Sequence, residues 1–374
     1  MSHPVSIYRL GIKELWSLRR DPVMMILIGY TFSVAIYISS TAMPETLHQA
    51  PIAIVDEDGS PLSARIAAAF SPPRFTHPAM IPLSGIDSGM DTGHYTFTLD
   101  IPPHFQRDVL AGKSPGVQLN VDATRMSQAF AGSSYIQQIV MGEVTEFVQR
   151  YRGVTVPPVE LALRARFNPN LEHSWFGSLM ELINNVTMVS IILTGAALIR
   201  EREHGTIEHL LVMPVAPIDI MLAKVWSMGL VVLIAAALAL VLVVQGILRV
   251  PVDGSVALFL AGTALHLFAT TSLGIFLATL ARSMPQFGML AVLVMLPLQL
   301  LSGNATPRES MPQIVQIMML AAPTTHFVAL GQAILFRGAG FSMVWPQFLA
   351  LAVIGAVYFS IALRRFRSTI SLMV

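Results

Sequence analysis

Uncharged stretches long enough to cross a bilayer recur down this chain, and they constrain its fold more than any motif does. No Asp, Glu, Lys or Arg occurs from Pro22 to Pro44. Further apolar runs follow at about Trp175–Ile199, Val225–Val244, Val256–Ala281, Phe287–Gly303 and Val344–Leu363. All six are of the length that carries a helix across a hydrocarbon layer roughly 30 Å thick. With 54% hydrophobic and 12% charged residues, the sequence is not that of a water-soluble globular protein. The charges are also unevenly placed. Residues 44–173 hold 9 Lys/Arg and 13 Asp/Glu, leaving 14 and 9 of the chain's 23 and 22 for everything else. An acidic, water-facing insert of net −4 thus interrupts a basic apolar remainder of net +5, together the +1 of the whole chain. That near-neutral balance gives no footprint for nucleic acid, and zero cysteines exclude disulfides, thiolate metal sites and cysteine nucleophiles.

The loops set the topology. With six crossings, the N-terminal side carries Arg9, Lys13, Arg19, Arg20, Arg200, Arg202, Lys224, Arg282, Arg364, Arg365 and Arg367. The short opposite loops carry only Arg249, Arg308 and Arg337, so both termini are expected in the cytoplasm. A seventh crossing through 310–336 would carry the Arg364–Arg367 cluster outside, and Pro312 and Pro323 would break its helix. Residues 304–336 are therefore expected as re-entrant half-helices in the outer leaflet, covered by other helices. The tryptophans agree: Trp16 and Trp226 fall at the expected inner boundaries, Trp175 and Trp345 at the outer ones. The apolar run after Arg20 is as long as a full span and lacks a small-x-small site, so no cleavable signal is expected. Within 1–21, Ile7, Leu10, Gly11, Leu15 and Leu18 recur at helical spacing opposite Arg9, Lys13 and Arg19. That is an amphipathic helix, lying in the inner interface or docked on the protein itself.

The insert reads as a small α/β domain. Ile52–Val55, Tyr95–Ile101 and Val117–Val121 are strand-like, Pro61–Phe70 is helix-like, and Arg125–Arg150 has one apolar face at helical spacing. Asp56-Glu57-Asp58 reads as a solvated turn, because adjacent carboxylates do not converge on a cation. Gly112-Lys113-Ser114 resembles the end of a phosphate-binding loop, but the glycine required five residues earlier is replaced by Arg107. No metal-spaced histidine pair or nucleophile elbow occurs, so no catalysis, no metal and no bound cofactor are expected.

Polar residues inside the spans are few: Glu181, Asn184 and Asn185 in the second, His266 with Thr270 and Thr271 in the fourth, and Gln299 in the fifth. Glu181, Asn184 and Asn185 share a helical face, which suits an interhelical contact or a substrate pathway. His266 reads as a neutral, hydrogen-bonded interior histidine.

Between the second and third spans runs Arg200-Glu201-Arg202-Glu203-His204-Gly205-Thr206-Ile207-Glu208-His209-Leu210-Leu211-Val212-Met213-Pro214. Gly205 can end one helix and Thr206 cap the next; Ile207, Leu210 and Leu211 then share a face, and Pro214 stops it. Such a short amphipathic helix fits a groove in a partner, or packs back on the bilayer surface. At these residues, and at Ile220, Met221 and Lys224 beyond them, the chain resembles the permease subunits of ABC-2-type ATP-binding-cassette exporters. The resemblance is to the bacterial inner-membrane branch with a large periplasmic insert after the first span, and it extends over essentially the whole sequence.

The resemblance implies an all-α polytopic membrane domain of six transmembrane helices plus re-entrant half-helices, with an inserted α/β extracytoplasmic domain. Its expected parts are an interfacial helix (1–21), a first span (22–43), a periplasmic domain (44–173) and spans two to six (174–374). A coupling helix at 206–213 would dock on a separate ABC ATPase subunit that supplies the ATP chemistry, with Arg200, Glu201, Arg202, Glu203, Gly205, Thr206, Glu208, Leu210, Leu211 and Pro214 forming the coupling segment. Also implied are a second permease subunit, a periplasmic adaptor, membrane lipid around the spans and a hydrophobic, drug-like or lipidic cargo. Two other readings use the same features: an ABC-type complex doing mechanical or regulatory work on a periplasmic partner, and an ATP-independent receptor whose insert binds ligand.

Overall fold

The computed structural model describes residues 3–41, 47, 49–122, 126–152, 173–203, 205, 216–303 and 308–371. In chain order its helices are α1 (His3–Arg19), α2 (Pro22–Tyr30), α3 (Ile36–Thr41), α4 (Pro61–Ala69), α5 (Ile86–Asp91), α6 (Phe105–Leu110) and α7 (Met126–Arg152). They continue with α8 (His173–Glu203), α9 (Pro217–Leu238), α10 (Val256–Leu280), α11 (Met284–Leu300), α12 (Gln313–Met319), α13 (Pro323–Gly331) and α14 (Phe341–Ser371). The strands are β1 (Ile52–Asp56), β2 (Ala79–Met80), β3 (Phe97–Ile101) and β4 (Gln118–Val121). The chain divides into two compact units, Met1–Ala42 with Arg166–Val374, and Met43–Ala165.

Among the described residues of the helical unit, five helices are long and apolar enough to cross a membrane: Pro22–Thr41, Ser174–Glu203, Pro217–Ile247, Val256–Leu280 and Phe341–Ser368. The first is α2 and α3 joined by a π-helical turn at Thr31–Ala35, and the third is α9 extended by a π-helical stretch at Ala239–Ile247. The second, third and sixth spans run longer than their apolar cores because polar ends continue each helix past the hydrocarbon-length segment. The expected fifth span corresponds to α11, which has 17 residues. Within 304–336, α12 and the helix Pro323–Phe336 meet at 89°. Pro312 caps the first half and Pro323 occupies the first turn of the second, positions where proline's missing N–H leaves no hydrogen bond unmade.

The helices are held by two apolar clusters, one centred on α8, α9, α10 and α13, the other on α8, α10 and α11. Where α8 crosses α10 the backbones come close. A Cβ built on Gly274 would lie 2.6 Å from the Ile191 carbonyl oxygen, so only glycine fits.

The second unit is a four-stranded sheet in the order β2-β1-β3-β4, with β1 parallel to both β2 and β3, and β3 antiparallel to β4. The turn after β1 is built by Asp56, whose Oδ1 accepts from the backbone N–H groups of Asp58 (3.1 Å) and Gly59 (2.9 Å). Ser60 and Ser63 form a reciprocal capping box at the start of α4. Asp58 Oδ2 accepts from Gln106 N at the start of α6 (3.0 Å), so the acidic turn organises two helix ends as well as facing water. Among the described residues no cluster of His, Asp or Glu could hold a metal ion. The two-residue β2, between Pro78 and Pro82, has no alternating pattern to announce it.

Gly274→Ala and Gly288→Ala bring the same gain in helix propensity, but a Cβ at Gly288 meets nothing within 4 Å. Gly274→Ala should therefore be the less stable variant by about 1–3 kcal/mol, read as the difference in melting temperature of the two purified proteins in detergent.

Candidate functional site

The charged end of α8 is the start of the conspicuous loop motif, and its side chains point into the protein. Lys224, one turn into the apolar part of α9, is buried to 2% side-chain exposure. An ammonium group in that position needs carboxylates, and two converge on it. Its Nζ lies 3.0 Å from Glu14 Oε1 of α1 and 2.8 Å from Glu201 Oε2 of α8. Lys13 completes the group, with Nζ 2.7 Å from Glu201 Oε1 and 3.5 Å from Glu14 Oε1. Two cations and two carboxylates, net zero, thus tie three helices together. Burial pushes the Glu14 carboxyl above the usual carboxylate range, against the pull of Lys224. For Lys13, burial acts to lower the pKa, but the neighbouring Glu201 and Glu14 carboxylates outweigh it and hold the ammonium above its ordinary value.

The contacts around this group fix α1 on α9. Gly11 sits beneath Trp226, where a Cβ would come within 2.1 Å of the indole. Trp226 Nε1 donates to the Ile7 carbonyl (3.3 Å), Tyr8 stacks parallel to the same ring, and His3 Nδ1 lies 3.0 Å from Asp219 Oδ2. The buried stripe of α1 is Ser6, Gly11, Glu14 and Leu18, which shares Gly11 and Leu18 with the face expected in sequence and adds Ser6 and Glu14 to it. Ile7, Leu10 and Leu15 of that face are half-buried, and Glu14 is drawn in beside them by Lys224. Tyr8 and Trp16 remain exposed. α1 is docked on the protein while keeping an aromatic outer edge.

The remaining residues of Arg200–Glu203 are also engaged within the chain. Arg200 pairs with Asp21, the N-cap of α2. Arg202 Nη1 donates to the carbonyls of Ala278 (3.1 Å) and Ala281 (2.8 Å) at the end of α10, and Glu203 Oε1 accepts from Met284 N at the start of α11 (2.9 Å). Gly205, at φ +67°, ends α8, its N–H reaching the Arg202 carbonyl. Four consecutive residues therefore tie α1, α9 and the ends of α2, α10 and α11 to α8. Thr206, Glu208, Leu210, Leu211 and Pro214 lie outside the described residues.

The polar residues of the spans fall into two groups. Asn185, buried, donates from Nδ2 to the Thr31 carbonyl (2.9 Å), at the π-helical turn of the first span, and Glu181 Oε2 accepts from Ser39 (3.4 Å). Both join α8 to the first span; Asn184, on the same face, is half-buried. His266 is fully buried on α10, stacked on Phe327 with centroids 4.1 Å apart, its Nε2 2.8 Å from Thr187 Oγ1. One turn along, Ser190 donates to Thr270 Oγ1 (2.6 Å). Thr271 closes on its own helix through the Leu267 carbonyl. Gln299 is half-buried near the end of α11 and belongs to neither group. Glu14, Asp21 and Asp219 were not singled out in sequence. The available signal for Glu14 was its spacing from Gly11 and Leu18, an acid in the middle of a buried stripe.

The chain as a whole is similar to known proteins. The profile of the family described as "ABC-2 family transporter protein" matches residues 22–364. The chain is 61% identical over 373 residues to "Inner membrane transport permease YhhJ" of Escherichia coli (strain K12), covering 100% of each. It is 28% identical over 365 residues to "Probable multidrug ABC transporter permease YbhR" of the same organism, covering 96% of this chain and 98% of that one. It is 24% identical over 361 residues to "Probable multidrug ABC transporter permease YbhS", covering 90% and 91% respectively.

Lys224→Met leaves Glu14 and Glu201 with Lys13 alone, a buried group of net −1, and should cost about 3–5 kcal/mol of stability. Adding Glu14→Gln restores net zero and should recover about 1–3 kcal/mol. Melting temperatures of the wild type, both single variants and the double variant close the cycle.

Proposed function

We propose an ATP-driven exporter as the working form of this chain, because it belongs to the ABC-2 family of transporters. By that membership it is a multi-pass membrane permease, the transport subunit of an ABC transporter, and its family partner is an ABC ATPase. In our reading the ATPase is a separate subunit, docked on a coupling helix at 206–213 on the cytoplasmic side of the inner membrane, where both termini also lie. Two permease subunits enclose the route, and the cargo is a hydrophobic, drug-like or lipidic molecule moved outward. Two relatives named as probable multidrug permeases support that class of cargo.

The observation that carries the coupling step is the buried charge group. Residues 206–215 are flanked by α8 and α9, and those two helices are locked to each other and to α1 through Glu201, Lys224, Glu14 and Lys13. Arg202 and Glu203 extend the same clamp to α10 and α11. A push on the intervening segment therefore reaches several spans at once instead of bending one loop. ATP binding, by closing two ATPase subunits, shifts the population between an inward-open and an outward-open arrangement of those spans. The functional division within the motif follows. Arg200–Glu203 transmit, since their partners lie within this chain, and Leu210 and Leu211 make the external contact.

Inverted inner-membrane vesicles containing the chain and a copurifying ATPase should accumulate a labelled hydrophobic compound in an ATP-dependent, vanadate-sensitive way. Combining Leu210→Asp and Leu211→Asp should lower accumulation by about tenfold or more while the protein still inserts, the loss expected for two charged groups in a docking surface. Full accumulation in that variant would sink the coupling assignment. ATPase association without accumulation of any compound would favour mechanical work instead.

A further inference from the structure

The sheet-bearing unit holds a cavity that transport through the helical unit does not use. Its volume, about 650 Å³, is that of a small-molecule site. The floor is formed by Leu99 and Leu119, cross-strand partners on one face of the sheet. Phe105 and Val109 of α6 and Val140 and Val144 of α7 form the walls.

The cavity exists because the covering helix and the edge strand do not close on each other. α7 presses on the sheet at Gly132, where a Cβ would come within 2.1 Å of the Phe97 ring. Further along, Val140, Val144 and Leu119 are only half-buried, although they belong to the apolar face of the unit. Among the described residues β4 is the last strand of the sheet, with no strand paired on its outer side. The mouth is open to water, because two lining residues, Met141 at 61% and Lys113 at 66% side-chain exposure, stand at its rim.

The rim has a definite charge. Asp108 Oδ1 is shared by Lys113 Nζ (3.2 Å) and Arg107 Nε (3.3 Å), two cations on one carboxylate. The Lys113 hydrogen bond holds Asp108 below the usual carboxylate range, so the trio keeps a surplus of one positive charge. Ser114 stands beside Lys113 at the mouth and offers a hydroxyl. The Gly112-Lys113-Ser114 triplet, which fails as a phosphate-binding loop, is thus the cationic part of the lining of a largely apolar chamber.

We propose that this cavity binds a single-chain anionic amphiphile of fatty-acid type, its chain between β4 and α7 and its acidic head at Lys113. The apolar floor and walls favour a hydrocarbon body, Ser133, Ser134 and Gln137 of α7 add neutral polar groups to the lining, and the surplus charge at Lys113 favours an acid over a neutral or cationic molecule. The assignment stands on the sheet unit alone and is independent of the exporter reading.

The test uses the full chain in nanodiscs, incubated with palmitic acid carrying a mid-chain diazirine, irradiated and mapped by mass spectrometry. Adducts are expected on peptides within 99–148. They should fall by about fivefold or more in Val140→Trp, which fills the chamber, and in Lys113→Glu, which reverses the rim. A matching diazirine fatty alcohol should label the same peptides and be indifferent to Lys113→Glu. If Val140→Trp elutes as a misfolded protein, Met141→Trp at the exposed mouth serves the same purpose. Adducts confined to the membrane helices, or undiminished by every one of these variants, would overturn the proposal. So would an oxidised Met141→Cys variant that forms dimers across this face in the absence of probe, a clean readout because the chain has no cysteine of its own.

Discussion

A lysine buried in an apolar helix bundle is tolerated only with its counter-charges in place, and Lys224 dictates much of what surrounds it. Neutralising it takes Glu14 from α1 and Glu201 from α8, and bringing both within 3.0 Å fixes how far and at what rotation those helices can sit on α9. Lys13 then balances the second carboxylate. Desolvating Lys224 and its two carboxylates gains little net stability, since a well-packed apolar replacement would do about as well. Its value is specificity: any slip of α1 along α9 by one turn leaves buried charge unpaired, whereas Leu against Leu would tolerate it. Gly11 under Trp226 enforces the same register by shape.

The membrane-length helices were legible in sequence because each is set by a local property, an uncharged run. The broken pair around Pro323 was legible for the same kind of reason, since proline acts on its own helix. Gly205 ends α8 as a residue tolerant of positive φ should. The strands β1, β3 and β4 could be read from alternation within a residue or two, and β2 could not, having only two residues. The apolar periodicity of α1 marked the side that packs, with Gly11 and Leu18 buried and Arg9 and Arg19 exposed, but it gave no sign that Ser6 and Glu14 are buried with them. Burial there is decided by long-range partners, Lys224 and Trp226, more than two hundred residues away in sequence. The same reason hid the engagement of Arg200–Glu203. Their pattern was conspicuous, but whether they point outward or inward depends on Asp21, the end of α10 and the start of α11, which no local reading supplies.

The hydroxyl-rich crossing of α8 and α10 shows how a membrane bundle gains cohesion that apolar contact cannot give among apolar lipid tails. Thr187 with His266 and Ser190 with Thr270 place paired polar groups along one seam, and Gly274 lets the backbones approach closely enough for them to meet. Each polar group, left alone in hydrocarbon, would be a cost; paired, it makes the seam directional. The contact of Asn185 with Thr31 extends this to the first span, where the π-helical turn interrupts regular bonding at the accepting residue.

The length of α11 has a consequence for the bilayer itself. Seventeen residues rise about 26 Å, several ångströms short of a hydrocarbon layer of roughly 30 Å. Its outward face, with Met289, Val292, Leu293, Leu296 and Leu300 exposed, is apolar along that whole length, so whatever lies beside it must match a short helix. Lipid can do so only by thinning, at a cost of fractions of a kcal/mol per ångström. Hydrophobic mismatch of this kind pulls two short faces together without any specific contact between them, and it makes the thickness of the host membrane a variable that acts on the protein directly.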